Sequence, residues 1–377
     1  MASLSILLPV FNGSKFLKGA IESALKQSFT DWEMIAVDDG STDNSVEILE
    51  GFAARDERIK IFKNDHNLGL FENYNRCYEL ATGEYIKPFA QDDLLMPNNL
   101  EKAVSVLRKH PEVSLVLSAR DIIDENDNVI EMIDPFKLRS CSSKKSELFL
   151  AGRDLITWSL IYFNNHLGEP VVGLFRKASI TTPYDTKYGH IGDLELWFRL
   201  LEQGNACYLA DKLCNYRRHS AQASAQKHRE LIDLVDWLRL SKQYYSYLKA
   251  IGESEEHLQN RLIEVAALNV NHHVKSGLIS SDTFKDRSPG YSHTSAIALD
   301  QEFSELLFLA LRRITPLIAK LDDQKQGLTE LPILKARLNS RSHRFIGAML
   351  HVVKRFQSRF KSRTVRSKKV RNDIASP

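Results

Sequence analysis

Short apolar runs alternate with amphipathic stretches through the first 120 residues. Ser5 to Val10 is a β-rich run closed by Pro9-Val10; Asn12-Gly13-Ser14 supplies a turn and helix cap. Phe16, Leu17, Ala20, Ile21, Ala24 and Leu25 then recur at helical spacing. Trp32 to Val37 reads as a second strand halted by Asp38-Asp39-Gly40-Ser41, with a helix over 44–54 after it. Ile59 to Phe62, a helix from Leu70 to Ala81, and Glu84 to Phe89 continue the alternation, which pauses at Gln91-Asp92-Asp93. A helix after Pro97 to Lys109 and a strand from Val113 to Ser118 close it. Strands separated by helices of this length predict βαβ units, hence an α/β fold with a mostly parallel sheet flanked by helices. Ligands of such sheets bind beyond the carboxyl ends of the strands, so the polar ends of strands one, two and four belong on one rim.

The pattern weakens between Arg120 and Pro183, with loops at Asp124 to Asn128 and Ser140 to Ser146. Val171 to Arg176 reads as a strand and Leu194 to Gln203 as a helix. Beyond Gln226 the chain reads as helical, for example Leu231 to Leu248 and Phe303 to Leu321. The expected division is a domain over 1–225 (in two parts, 1–120 and 121–225), a helical C-terminal extension over 226–334, and a basic amphipathic tail over 335–377.

Composition adds one asymmetry. From Lys335 to Arg371 there are 13 Lys or Arg and no acids, leaving 38 of the 51 basic residues against all 48 acidic ones. Phe345, Met349, Val352, Val353, Phe356 and Phe360 fall near one helical face of that tail, a pattern suited to an anionic membrane surface; the plainer alternative is a docked surface helix with a free basic end. No aromatic platform supports nucleic acid as a partner. Four scattered cysteines suggest no disulfide framework. The first residues read as a strand rather than a signal peptide, and no apolar run is long enough to span a membrane. A cytoplasmic protein is expected, with peripheral attachment to the inner membrane face as the reading the tail adds. Asn12-Gly13-Ser14 is also a glycosylation sequon, taken as chance.

Four sites carry chemistry. A carboxylate at Asp38-Asp39 is placed to accept hydrogen bonds from a nucleobase and ribose, although a plain strand-to-helix turn uses the same residues. Asp92 and Asp93, adjacent acids without a basic neighbour in sequence, suit a divalent cation bridging a diphosphate, or else a solvated helix cap. Asp193 or Glu195 suits a general base, against the ordinary role of acids at a helix start. His219, in Tyr216-Arg217-Arg218-His219, suits a metal or phosphate, with Arg217 or Arg218 neutralising diphosphate charge.

The segments LSILLPVFNGSKFLKGAIESALKQSF, WEMIAVDDGSTDNS, NLGLFENYNRCYELATGEYIKPFAQDD, GDLELWFRLLEQG and YRRHSAQAS, in this order over residues 3–225, resemble the inverting glycosyltransferases of family 2, of the bacterial polysaccharide or lipopolysaccharide type. That resemblance implies the GT-A fold and transfer of a sugar from a nucleoside diphosphate sugar, a UDP-sugar being expected, to a hydroxyl of a glycan or lipid-linked acceptor. It implies that Pro9, Val10, Phe11, Asn12, Asp38 and Asp39 line the nucleotide pocket. Asp93 would bind Mg²⁺ or Mn²⁺ with His219, Asp92 would contact the ribose, Arg217 would lie near the phosphates, and Asp193 would be the base, with Glu195 in reserve. Two positions depart from the family pattern: Gln91 stands where the metal motif begins with Asp, and Gly192 stands where an acid precedes the base. They leave open a catalytically degenerate GT-A domain that only binds a nucleotide sugar or a partner. A dinucleotide oxidoreductase would share the alternation, but the first strand lacks Gly-x-Gly-x-x-Gly after it.

Overall fold

A computed structural model describes residues 2–136, 146–220, 222 and 232–254, all within one compact unit, Met1–Leu307. A second unit, Phe308–Pro377, lies outside the described residues, and with it the basic tail; so do the loop around Ser140, the boundary at Ala225 and the helix expected from Phe303.

The N-terminal half is strand and helix in strict turn: β1 (Leu4–Val10), α1 (Ser14–Leu25), β2 (Trp32–Asp38), α2 (Ser45–Ala53), β3 (Ile59–Lys63), α3 (Leu70–Leu80) and β4 (Tyr85–Pro88). Then follow the two-residue β5 (Leu94–Leu95), α4 (Asn99–Lys109), β6 (Val113–Ile123), β7 (Val129–Ile133), β8 (Glu147–Leu150) and α5 (Gly152–Tyr162). β9 (Leu174–Arg176), α6 (Gly192–Gln203), β10 (Asn205–Arg217), α7 (Ile232–Gln243) and α8 (Tyr245–Lys249) complete the described chain. The run read as a strand from Val171 is a 3-10 turn at Pro170–Val172 followed by β9.

These strands form one ten-stranded sheet in the order β3-β2-β1-β4-β9-β6-β10-β5, with β7 beside β6 and β8 beside β10. β1, β2, β3 and β4 are parallel, and β10 runs parallel to β6; β9 is antiparallel to both its neighbours and joins the two parallel blocks. Every residue of β1 and β2 is buried, which is why both read as unbroken apolar runs rather than alternating ones. Large side chains such as Trp197, Phe198 and Phe175 have almost no exposure, and each such burial contributes about 1.5–3 kcal/mol.

The core does not end at α6. Trp237, Leu240, Tyr244 and Leu248 of the 232–249 helices join the same buried cluster, and Tyr244 packs edge-on to Phe198 with ring centres 5.0 Å apart. The run expected as one helix from Leu231 to Leu248 is broken at Tyr244. Asp236 of α7 is wholly buried and accepts the backbone N–H groups of His190 (2.6 Å) and Ile191 (3.1 Å), the residues that lead into α6.

Candidate active site

Because β2, β1 and β4 are adjacent and parallel, their carboxyl ends share one edge of the sheet: Val10 stands opposite Asp38, and Leu7 opposite Pro88. The expected rim is therefore present. The turn after β1 is tied to residues across the rim. Asn12, at φ 48°, donates its N–H to Ser41 Oγ (2.9 Å) and accepts the Thr42 N–H (2.8 Å). Helix α1 lacks a cap from its own turn. The Ser14 N–H donates to Asp43 (3.0 Å) and the Gly13 N–H to Ser45 Oγ (2.9 Å). Burial would raise the Asp43 carboxyl, but hydrogen bonds from Ser45 and Ser14 prevail and hold it at about 2.

The two acids that end β2 have separate tasks. Asp39 spends both oxygens on the loop before α3, accepting from Asn64 Nδ2 (2.8 Å), Leu68 N (2.8 Å) and Gly69 N (2.9 Å). Asp38 Oδ2 accepts the Gly40 and Ser41 amides at 3.2 and 3.1 Å, whereas its Oδ1 is buried with no hydrogen-bond partner among the described residues. Of the pair, Asp38 keeps acceptor capacity for a ligand. Phe11, 44% exposed beside it, offers an apolar ring face.

Gln91 pairs with Phe11 as one peptide group pairs with another: its Oε1 accepts the Phe11 N–H (2.9 Å) and its Nε2 donates to the Phe11 carbonyl (3.0 Å). A carboxylate at this position has nothing to donate, so the departure from the acidic pattern at Gln91 has a local cause. Gln91→Glu is expected to cost about 1–2 kcal/mol, the lost bond plus repulsion from the carbonyl, and to loosen the Phe11 turn. Urea unfolding measures it; an unchanged midpoint would show the pairing to be unimportant.

The next two residues meet the end of β10. Asp93 is buried and accepts the Arg217 N–H (2.9 Å), and Asp92 Oδ2 lies 2.9 Å from His219 Nε2. The fold thus supplies the basic neighbour that the local sequence lacks. The Arg217 guanidinium, only 4% exposed, donates from Nε to the Asp92 carbonyl (2.8 Å) and from Nη1 to the Asp124 carbonyl (2.8 Å). It pairs with Asp127 through Nη2 (2.6 Å) and lies 4.6 Å above the Phe16 ring. Burial first, and the charge of Asp92 second, push the Asp93 carboxyl well above the usual carboxylate range. Added positive charge relieves that condition. Among the described residues no three His, Cys, Asp or Glu side chains converge as an all-protein cage. The chemistry of an adjacent acid pair suits instead an ion such as Mg²⁺ or Mn²⁺, which takes one or two carboxylates and the rest from phosphate and water.

Asp193 opens α6 on the other side of the cleft. Its Oδ1 accepts the Leu194 N–H (2.8 Å) and its Oδ2 the Asn165 amide (3.2 Å); a narrow opening to solvent remains. Burial pushes this carboxyl up to about 7. The Leu194 N–H works against that shift, and the charge of Glu169 adds to it. Part of the crowding is aromatic: Phe71 and Tyr184 stack with ring centres 5.1 Å apart, and a Cβ on Gly192 would come within 2.8 Å of the Phe71 ring. Gly192 is therefore a packing requirement, and no acid fits there. Glu195 is committed elsewhere, buried against Arg199 with Nε–Oε1 at 2.8 Å, and does not face the cleft.

Sequence reading passed over Lys87, Asn165 and Glu169. A lysine inside an apolar strand is one signal: Lys87 is fully buried and donates to the carbonyls of Val171 and Gly173 (3.2 Å to the latter). Gly168-Glu169-Pro170, a glycine and an acid before a proline, is the other.

A family model described as "Glycosyl transferase family 2" matches residues 5–167. The putative glycosyltransferase EpsE of Bacillus subtilis is 38% identical over 123 residues, covering 32% of this chain and 44% of EpsE, less than half its length. The UDP-Glc:alpha-D-GlcNAc-diphosphoundecaprenol beta-1,3-glucosyltransferase WfgD of Escherichia coli is 27% identical over 231 residues, covering 60% of this chain and 82% of WfgD. Among solved structures, S. aureus TarS 1-349 in complex with UDP-GlcNAc aligns with a TM-score of 0.52 at 16% identity, over 83% of this chain and 81% of that one. The mannosyltransferase PcManGT from Pyrobaculum calidifontis, in complex with GDP-Man and Mn²⁺, aligns at 0.50 and 14% identity, over 83% and 87%.

Proposed function

We propose that this chain is a family 2 glycosyltransferase with the GT-A fold, and that it moves a sugar from a UDP-sugar to a hydroxyl of a glycan or lipid-linked acceptor with inversion at the anomeric carbon. The observation that carries the reading is Asp193, a half-open carboxyl pushed up to about 7 at the head of α6. A base with that affinity is poised to take a hydroxyl proton near neutral pH.

The other residues take roles that follow from their geometry. Asp38 Oδ1 is the acceptor for the nucleobase or ribose, and Phe11 the face against which the base lies; Pro9, Val10 and Asn12 shape the turn that brings them together. Asp93, with Asp92 and His219 beside it, would hold Mg²⁺ or Mn²⁺, and the ion would supply positive charge to stabilise a departing diphosphate. Arg217 holds this turn against β10 and lends its positive field to the same region. Asp193 removes the acceptor proton as the hydroxyl oxygen approaches the face of the sugar opposite the leaving group. WfgD is named for a lipid-linked diphosphoundecaprenol substrate, which supports an acceptor of that class here. No helix among the described residues is long and apolar enough to cross a membrane, and attachment at the inner face is assigned to the 335–371 tail.

Titration calorimetry of the full chain against UDP, GDP and dTDP and their sugars, with and without Mn²⁺, tests the reading. One nucleotide sugar should bind in a Mn²⁺-dependent manner, and Asp93→Ala should lose the metal-dependent part. Binding of none of them, with or without metal, would point instead to a degenerate domain.

A further inference from the structure

The segment between α5 and β9 carries a third carboxylate into the cleft and is braced on every side. Asn165 closes a short loop, accepting the Gly168 N–H (2.9 Å) and donating to both the Gly168 carbonyl (3.3 Å) and Asp193 Oδ2 (3.2 Å). Gly168 sits at φ 96°, and a Cβ there would lie 2.9 Å from Arg120 Nη1 and from Val172 Cγ2, so another residue is both strained and crowded. The Trp197 indole of α6 fixes the same carbonyl at 2.9 Å, and Lys87 holds the chain just beyond through Val171 and Gly173. The product of this bracing is the position of Glu169. Its carboxylate faces the Arg120 guanidinium, with Nε–Oε2 at 2.6 Å and Nη2–Oε1 at 3.1 Å.

The pair is asymmetric. Arg120 is 5% exposed, while the Glu169 side chain remains 26% open. Arg120 meets both oxygens and Oε2 is buried, so the acceptor capacity that remains is the second lone pair of Oε1. Asn165 bonds both Gly168 and Asp193 Oδ2, which sets the Gly168-Glu169 turn beside the proposed base. An ion pair with a purely structural role gains nothing from standing beside a further acid, since like charges oppose one another. What lies beside the base, under the proposed mechanism, is the sugar being transferred, a ring bearing several hydroxyl donors. Hydrogen bonds from hydroxyls to an ionised carboxylate are short and roughly twice as strong as neutral ones.

We propose that Glu169 reads the transferred sugar, accepting a hydrogen bond from one of its hydroxyls, with Arg120 as the positioning residue that fixes the carboxylate. This rests on the assignment of Asp93 and Asp193 given above, and the test separates the two. Calorimetry of the full chain with Mn²⁺ would compare UDP with UDP-glucose, UDP-N-acetylglucosamine and UDP-galactose, for the unaltered protein, Glu169→Gln and Glu169→Asp. Gln keeps the size and one acceptor for Arg120, so UDP should bind within about twofold of the unaltered protein. The sugar nucleotide that the unaltered protein prefers should weaken by about tenfold or more. Glu169→Asp should recover part of that loss, and it serves as the test if the Gln variant melts early. Equal weakening of UDP and UDP-sugar, or no weakening of either, would overturn the role of Glu169 while leaving the wider reading intact. Failure of the unaltered protein to bind any of these nucleotides would overturn both.

Discussion

Asp193→Asn is expected to lower sugar transfer by about 10²–10⁴-fold, the range for removing a general base, with donor affinity within about twofold of the unaltered protein. The pH–rate profile of the unaltered enzyme should rise through about 7, because only the ionised carboxyl accepts a proton; roughly a tenth of the activity should remain one pH unit below that midpoint. The same variant should be more stable at alkaline pH. In the folded chain the carboxyl keeps its proton up to about 7, against an ordinary 3.8, so across that window the folded state binds more protons than the unfolded one. Stability therefore falls as pH rises from 3.8 towards 7, and above 7 the full cost of a buried charge is present, about 2–4 kcal/mol. Asn removes that cost, so the variant should melt higher than the unaltered chain at pH 8 and alike at pH 4. Collapse of donor binding in Asp193→Asn, or equal melting at pH 8, would remove Asp193 from the role of base.

Arg217→Met should cost about 2–4 kcal/mol in urea unfolding, because it deletes donors to two part-buried carbonyls and a cation over the Phe16 ring. Loss of the Mn²⁺-dependent part of UDP binding should accompany it, since the guanidinium's hold on the Asp92 carbonyl is gone and the Asp92-Asp93 turn keeps the Arg217 N–H and the contact with His219. The two effects are expected together. Loss of UDP binding with an unchanged unfolding midpoint would mean that the guanidinium contacts phosphate directly and is not the clamp its three bonds describe.

Periodicity located β1 to β4 and α1 to α4 to within a residue or two, most plainly where an element buries one continuous face or both, and passed over the two-residue β5. It failed for β10. That strand, NACYLADKLCNYR, carries Asp, Lys and Asn among its apolar residues and shifts register against β6 near Leu209, Lys212 and Cys214, so its alternation is broken where the sequence would be read. β7 failed for a different reason: four of its five residues are exposed, and no buried face marks the strand. The site divides along the same lines. Asp38, Asp39, Asp92, Asp93 and Asp193 stand at strand or helix ends in a recognisable order and were legible. The neighbours that decide how they behave were not. Arg217 reaches Asp92 and Asp93 from about 125 residues away, and Glu169 reaches Arg120 across 49. Such pairs are set by the sheet order, which local pattern does not encode.

The buried carboxylate of Asp236 ties this fold to the timing of synthesis. The amides just before the catalytic helix have their acceptor 45 and 46 residues downstream, on a helix that also covers part of the core. N-terminal parts of a chain fold as they emerge, so the nucleotide-binding strands can assemble early. The amides of His190 and Ile191 gain this acceptor only once α7 has been made and docked. Under the proposed function, a chain that stops at residue 225 would therefore keep the donor-side strands but lack this brace on the start of α6.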